Sequence, residues 1–204
     1  HNLTSRPYIA RTMATVPVVD LSLGSVAGLG AARVSASHYS VMVRDTAQLF
    51  VAGPPVVART GQHIEKNDLG GSQIHTRNGV VDDEAESEAD AFARARRFLS
   101  YLPPSIYELP PRAETGRDAS ANQAALRNAI PENTRSVYKI RTIVDTLVDT
   151  GSFMEIGRNW GKAIAAGLAR IDGWPVVVVA SDPYHYGGAW DRQTAEKYMR
   201  MVDL

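Results

Sequence analysis

The sequence predicts an α/β fold, on three observations. The run "TVPVVDLSL", Thr15 to Leu23, sets Val16, Val18, Val19 and Leu21 in a near-continuous apolar stretch, the pattern of a parallel strand covered on both faces. Directly behind it, "GSVAGLGAAR", Gly24 to Arg33, supplies bare backbone where a strand hands over to a helix. Further on, "DDEAESEADAFARARRFLSYL" repeats apolar residues at spacings of three and four, with acids early and arginines late, as a helix dipole favours.

In chain order, Pro7 to Ala14 is expected to be helical, and the strand of Thr15 to Leu23 and the glycine loop follow. His38 to Val43 reads as a strand, Arg44-Asp45 as a turn, and Gln48 to Ala52 as a second strand that Gly53-Pro54-Pro55 ends. Ala58 to Asp83 is rich in Gly, Asn and Asp, without a clear period, and reads as loop with at most a short helix. The acidic helix from Asp82 buries Ala85, Ala89, Phe92, Ala95, Leu99 and Leu102, and Pro103-Pro104 closes it. Residues 105–135 are proline-punctuated, polar and weakly periodic, as a linker is. "YKIRTIVDTLVD" then carries Ile140, Ile143, Val144, Leu147 and Val148 on one helical stripe, with Gly151 behind it as a stop. Two strands, Ile164 to Ile171 and Pro175 to Ser181, meet at a tight Asp172-Gly173 turn. A last amphipathic helix points Ala195, Tyr198, Met199 and Val202 inward.

Composition narrows the function classes. The chain has 204 residues, 44% of them apolar, enough for one substantial core or two small lobes. Its 22 basic residues balance its 22 acidic ones, so no bulk field attracts nucleic acid or an anionic membrane surface. No apolar run approaches the ~20 residues of a membrane helix, and the opening "HNLTSRPYIAR" has no apolar core of the signal-peptide kind. The absence of cysteine removes disulfides, thiolate zinc sites and thiol nucleophiles, and suits an intracellular setting.

The motif inventory contains no side-chain nucleophile with its base. There is no P-loop and no GxSxG elbow, and His1, His38, His63, His75 and His185 show no ligand spacing, so no metal is expected. Asp82, Asp83, Glu84, Glu86 and Glu88 are better explained as helix-start charges than as a catalytic pool. What remains is glycine-rich backbone. Around Gly28, Leu29 and Gly30, main-chain N–H groups have the arrangement that converges on an oxygen becoming negative during reaction; tight helix-on-sheet packing explains the same residues. Gly70-Gly71 and Gly187-Gly188 are similar, turn-like by default.

Four blocks, "GSVAGLGAARVSASHYSVMVRDTAQLFVAGPPVV", "TGQHIEKNDLGGSQIH", "RRFLSYLPP" and "RTIVDTLVDTGSFMEIGRNWGKAIAAGLARIDGWPVVVVASDP", together resemble the carboxyltransferase (beta) subunits of biotin-dependent acyl-CoA carboxylases. The resemblance runs from about Val16 to Leu204. It implies a crotonase-like ββα superhelix: residues 1–104 as the C-terminal part of a first carboxyltransferase domain, 105–135 as interdomain linker, and 136–204 as the start of a second tandem domain. It implies a reaction in which N-carboxybiotin, on a separate carrier domain, delivers CO2 to the α-carbon of an acyl-CoA, with one backbone oxyanion hole in each domain.

Carried onto this chain, the resemblance makes Gly28 and Leu29 the catalytic donors, with Leu29 where the family usually has glycine. Gly30, Ala31, Gly70 and Gly71 become substrate-binding residues, and Ser72 stands where alanine is usual. The implied partners are an acyl-CoA, a biotin carboxylase and biotin carrier subunit, and further copies of the chain in a dimer or hexamer. The implied location is the cytoplasm, or the mitochondrial matrix of a eukaryote. The alternatives are a non-catalytic crotonase-type assembly module and a biotin-dependent decarboxylase or transcarboxylase subunit. A crotonase-type hydratase or hydrolase would need a carboxylate pair at the hole, and the sequence offers none.

Overall fold

The computed structural model describes residues 5–114, 125–133 and 135–204. His1 and the middle of the expected linker, residues 115–124, lie outside the described residues. The chain forms two compact units, His1–Ala95 and Arg96–Leu204.

The first unit repeats one motif, strand, strand, helix. Helix α1 (Ser5–Met13) leads into β1 (Val19–Ser22), β2 (Ser25–Ala27) and α2 (Leu29–Ala36). The second repeat is β3 (Tyr39–Val43), β4 (Gln48–Phe50) and the short helices α3 (Pro54–Val57), α4 (Lys66–Gly70) and α5 (Ser72–Asn78). A third begins with β5 (Asp83–Ala85) and continues into α6 (Glu88–Leu99). First strands stack in parallel in the order β1-β3-β5, and second strands pair in parallel as β2-β4. This is a ββα superhelix. The central β3 is buried along its whole length because β1 and β5 flank it and both its faces are covered. Asp45, at φ 62, turns the chain out of β3 toward the other sheet.

Two carboxylates tie β5 to β3. Asp83 accepts a hydrogen bond from the Tyr39 hydroxyl at 2.7 Å, and Asp82 accepts from the backbone N and Oγ of Ser40 at 2.8 and 2.9 Å. Both carboxylates are buried. Parallel pairing with β3 has drawn Asp83–Ala85 out of the helix that local sequence favours. The helix therefore starts at Glu88, and its buried face differs from the expected one. Ala91, Phe98 and the following Tyr101 are buried, whereas Phe92 and Leu99 are exposed. Counting the phase from Ala85, which is a strand residue, rotated the expected stripe off the true one.

Other boundaries shift for local reasons. Val16 is exposed and precedes β1, and β4 ends at Phe50 with Val51 in solvent. Gly53-Pro54-Pro55 opens α3 as well as ending a strand, since proline suits the first helical turn.

In the second unit, α7 (Ile140–Leu147) packs Val144 and, just beyond it, Val148 against Ala169, with Ile140, Phe153, Val176 and Val178 around them. Its sheet is antiparallel, in the order β6 (Met154–Glu155), β7 (Ile164–Ile171), β8 (Trp174–Ser181). Asp172 and Gly173, at φ 51 and 79, make the expected tight turn. The Asp149 carboxylate accepts from both turn amides at 3.1 and 2.7 Å. Residues just after α6 dock on the same turn: Arg170 donates to the carbonyls of Ser100 and Pro111, and Arg112 pairs with Asp172 at 2.5 Å. Arg141 of α7 holds Glu155 and Asp182 together, each at 2.5 Å, and the Glu155 hydrogen bonds push its pKa above the ordinary arginine value.

Helix α8 (Arg192–Asp203) is capped by the Asp191 side chain, which accepts from Thr194 N at 2.8 Å. Its inward residues are Thr194, Lys197 and Met201; Tyr198, Met199 and Val202 are exposed. The expected stripe was off by about one residue, since its inward face is set by Thr194, Lys197 and Met201. Lys197 is buried, lies against Gly161 and donates to the Ile164 carbonyl at 3.1 Å.

Two tests follow from this packing. A Cβ on Gly167 of β7 would lie 2.0 Å from the Met154 carbonyl oxygen, whereas one on Gly24 would meet nothing within 4 Å. Gly167→Ala is expected to cost about 3 kcal/mol or more and Gly24→Ala well under 1, checked by urea denaturation midpoints. Burial, followed by the neighbouring Asp83 charge, raises the Tyr39 phenol above its ordinary value of 10.0. Its contribution to stability is thus complete below the unfolded value and falls as pH rises past about 10. Tyr39→Phe should lose about 1–3 kcal/mol at neutral pH, because the buried Asp83 loses the hydroxyl that donates to it, and should show a flatter alkaline limb in thermal melts from pH 8 to 11.

Candidate active site

The two glycine blocks singled out in the sequence, more than forty residues apart, meet on one strand, β4. On one side, Gly28 donates its N–H to the Phe50 carbonyl at 3.1 Å. On the other, Gly70 lies so close to β4 that a Cβ there would be 2.2 Å from the Leu49 carbonyl oxygen and 2.8 Å from the Phe50 ring. Gly71 bridges to Gln48, and its Cβ would be 2.6 Å from the Asn67 carbonyl oxygen. Both glycines are buried, so they seat α4 against β4 and present no open surface.

Side chains complete the clasp. Gln48, buried, accepts from Ser25 Oγ at 2.5 Å and donates to Asn67 Oδ1 at 2.7 Å, joining β2, β4 and α4. His75 Nε2 lies 2.9 Å from the Leu49 carbonyl oxygen, which makes it the protonated nitrogen, and Nδ1 is buried without a partner. His38 accepts from Val18 N through Nδ1 at 3.0 Å. Both histidines therefore serve packing. Among the described residues no group of three metal-ligating side chains forms.

Gly28 adopts φ 62 and ψ −125, a conformation that residues with a side chain avoid, and starts α2. A helix leaves its first N–H groups without intrahelical acceptors, and no side chain caps α2. The amides of Leu29 and Gly30 therefore open outward at the start of the helix, whereas the Gly28 amide is engaged by Phe50. Of the two expected donors, Gly28 is thus engaged within the fold, and Leu29 occupies the first position of α2. Gly30 fits because a Cβ there would stand 2.9 Å from Val26 Cγ1, and Ala31 is buried behind it. The engagement of Gly28 depends on β4, twenty residues on, and carries no local signal.

The acidic residues once weighed as a pool are committed elsewhere. Asp82 and Asp83 bind β3, and Glu84 accepts from Ser72 Oγ at 2.5 Å and pairs with Arg44 at 2.5 Å. A cavity of about 190 Å³ in this unit is lined by Ile9, Thr12, Met13, Val18, Asp20 and Arg33; Arg33, the last residue of the first glycine block, reaches it, and Gly28, Leu29, Gly30, Gly70 and Gly71 do not line it. No helix among the described residues is long and apolar enough to cross a membrane.

Known proteins resemble this chain in sequence and in fold. The family model of the carboxyl transferase domain matches residues 8–204. The chain is 32% identical over 189 residues to a protein of Haloferax mediterranei named as the carboxyltransferase subunit of propionyl-CoA carboxylase, covering 92% of this chain and 37% of that one. It is 32% identical over 190 residues to the beta4 subunit of a biotin-dependent long chain acyl-coenzyme A carboxylase of Mycobacterium tuberculosis, covering 92% and 36%. The crystal structure of transcarboxylase 12S with hydrolysed methylmalonyl-coenzyme A superposes with a TM-score of 0.88 at 24% identity, over 95% of this chain and 38% of that one. The chain thus spans a little over a third of the length of these relatives. With its stacked strand-strand-helix turns and its family match over nearly all of its length, this chain belongs to the carboxyl transferase domain family and has the crotonase-like α/β fold.

Proposed function

We propose that this chain is the part of a biotin-dependent acyl-CoA carboxyltransferase that holds the acyl thioester oxygen while a carboxyl group is transferred to the α-carbon. The observation that carries the reading is the start of α2, where Gly28 at φ 62 leaves the Leu29 and Gly30 amides open beside a family-matched loop. When the α-proton leaves, negative charge develops on the thioester oxygen. Two backbone donors already fixed in place stabilise it without reorganising, and this is where such donors act most strongly. Biotin, borne on a separate carrier domain, supplies the carboxyl group and accepts the α-proton. The residues here fit the acyl oxygen, and none is assigned to biotin.

Gly28 sets the angle of the helix start and Leu29 and Gly30 donate. Ala31 backs the turn, and Gly70 and Gly71 hold β4, and through Phe50 the loop, in place. This role refines the expectation that the second glycine pair lines the pocket. We read residues 1–104 and 136–204 as parts of two tandem domains joined by 105–135. The expected partners are an acyl-CoA, a biotin carboxylase with its carrier, and further copies of the chain. We expect this work in the cytoplasm, or in the mitochondrial matrix of a eukaryote. The same hole serves carboxylation, decarboxylation and transcarboxylation, since all pass through charge on the thioester oxygen.

Leu29→Pro tests the reading. Proline is well tolerated at the first helical position and lacks only the N–H there. In the full-length subunit, kcat for carboxyl transfer should fall about 10²–10³-fold with acyl-CoA binding retained. Turnover at the wild-type rate would remove Leu29 from the donor set.

A further inference from the structure

We infer that the Leu29 side chain limits the size of the acyl group, selecting acyl-CoAs with small α-substituents such as acetyl and propionyl. This rests on the reading that the Leu29 and Gly30 amides receive the thioester oxygen. The argument is one of direction and of confinement. In an α-helix each Cα–Cβ bond tilts toward the N-terminus, the end at which the unpaired N–H groups also point. The first side chain of α2 thus stands on the same side as the donors. It is an isobutyl group, and it is 51% exposed.

Its neighbours do not let it withdraw. Gly28 is held by its N–H on Phe50 at φ 62, and Gly30 is pressed against Val26, where even a Cβ would come within 2.9 Å. The backbone of the first turn is thus held on both sides of Leu29. Around Gly28, by contrast, a Cβ would meet nothing within 4 Å. Leu29 is therefore the bulk at an otherwise open entrance. An oxygen about 2.9 Å from the donor nitrogens puts the acyl α-carbon, bonded to the same carbonyl carbon, beside the isobutyl group. A hydrogen or methyl substituent fits there, and a long alkyl chain collides.

The test uses the full-length subunit assembled with its biotin carboxylase and carrier, and compares kcat/KM for octanoyl-CoA and propionyl-CoA. In Leu29→Ala the octanoyl-to-propionyl ratio should rise about tenfold or more, the scale on which a few methylenes discriminate. In Leu29→Phe the ratio should fall. A ratio unchanged or lowered in Leu29→Ala overturns size selection while the donor reading stands. So does loss of all turnover in Leu29→Ala when the wild type is active, since the side chain would then serve to place the donors. Absence of carboxylation of any acyl-CoA by the wild-type assembly overturns the donor reading together with the inference.

Discussion

The carbonyl groups and one amide side chain of β4, a strand of three residues, hold the candidate site together. Phe50 accepts the Gly28 amide, Leu49 meets His75 and the bare face of Gly70, and Gln48 ties Ser25 to Asn67. Each of these groups is removed from bulk water and must be satisfied within the protein, so the partners have little freedom to choose other positions. The glycine loop is thereby referenced to a strand that is itself fixed by parallel pairing with β2. Under the function we propose, donors fixed in this way need no movement at the moment charge appears, which is the condition for strong electrostatic stabilisation.

The acids of the chain show the complementary principle. In the first unit Asp82 and Asp83 accept from Ser40 and Tyr39; in the second, Asp149 holds the β7–β8 turn, and Glu155 and Asp182 share Arg141. A buried carboxylate is tolerated when it is paired and hydrogen-bonded, and these are. They are spent on joining strands, turns and helices.

Much of this was readable in the residues. The apolar run before Gly24 and the largely apolar stretch of β3 announce parallel, covered strands; the Asp172-Gly173 pair announces a tight turn; the alternation of strand and helix announces the α/β class. The loop "GSVAGLGAAR" announced bare backbone between a strand and a helix, and the blocks around it resembled the family to which the chain belongs. These features are local. Glycine permits φ 62 whatever surrounds it, and a reversal through two residues at positive φ needs only those residues and their flanking strands.

Three matters were decided by the tertiary structure alone. The strand status of Asp83–Ala85 came from pairing with β3, and with it the phase of α6. The inward turn of Lys197 came from the space beside Gly161 and the waiting Ile164 carbonyl. The engagement of the Gly28 amide by Phe50 came from the position of β4. In each case the outcome turns on a partner far away in sequence, and a residue's own chemistry does not say which carbonyl will lie within reach of its N–H. The sequence determined which residues were able to serve; the packing of non-local strands decided which of them were free to.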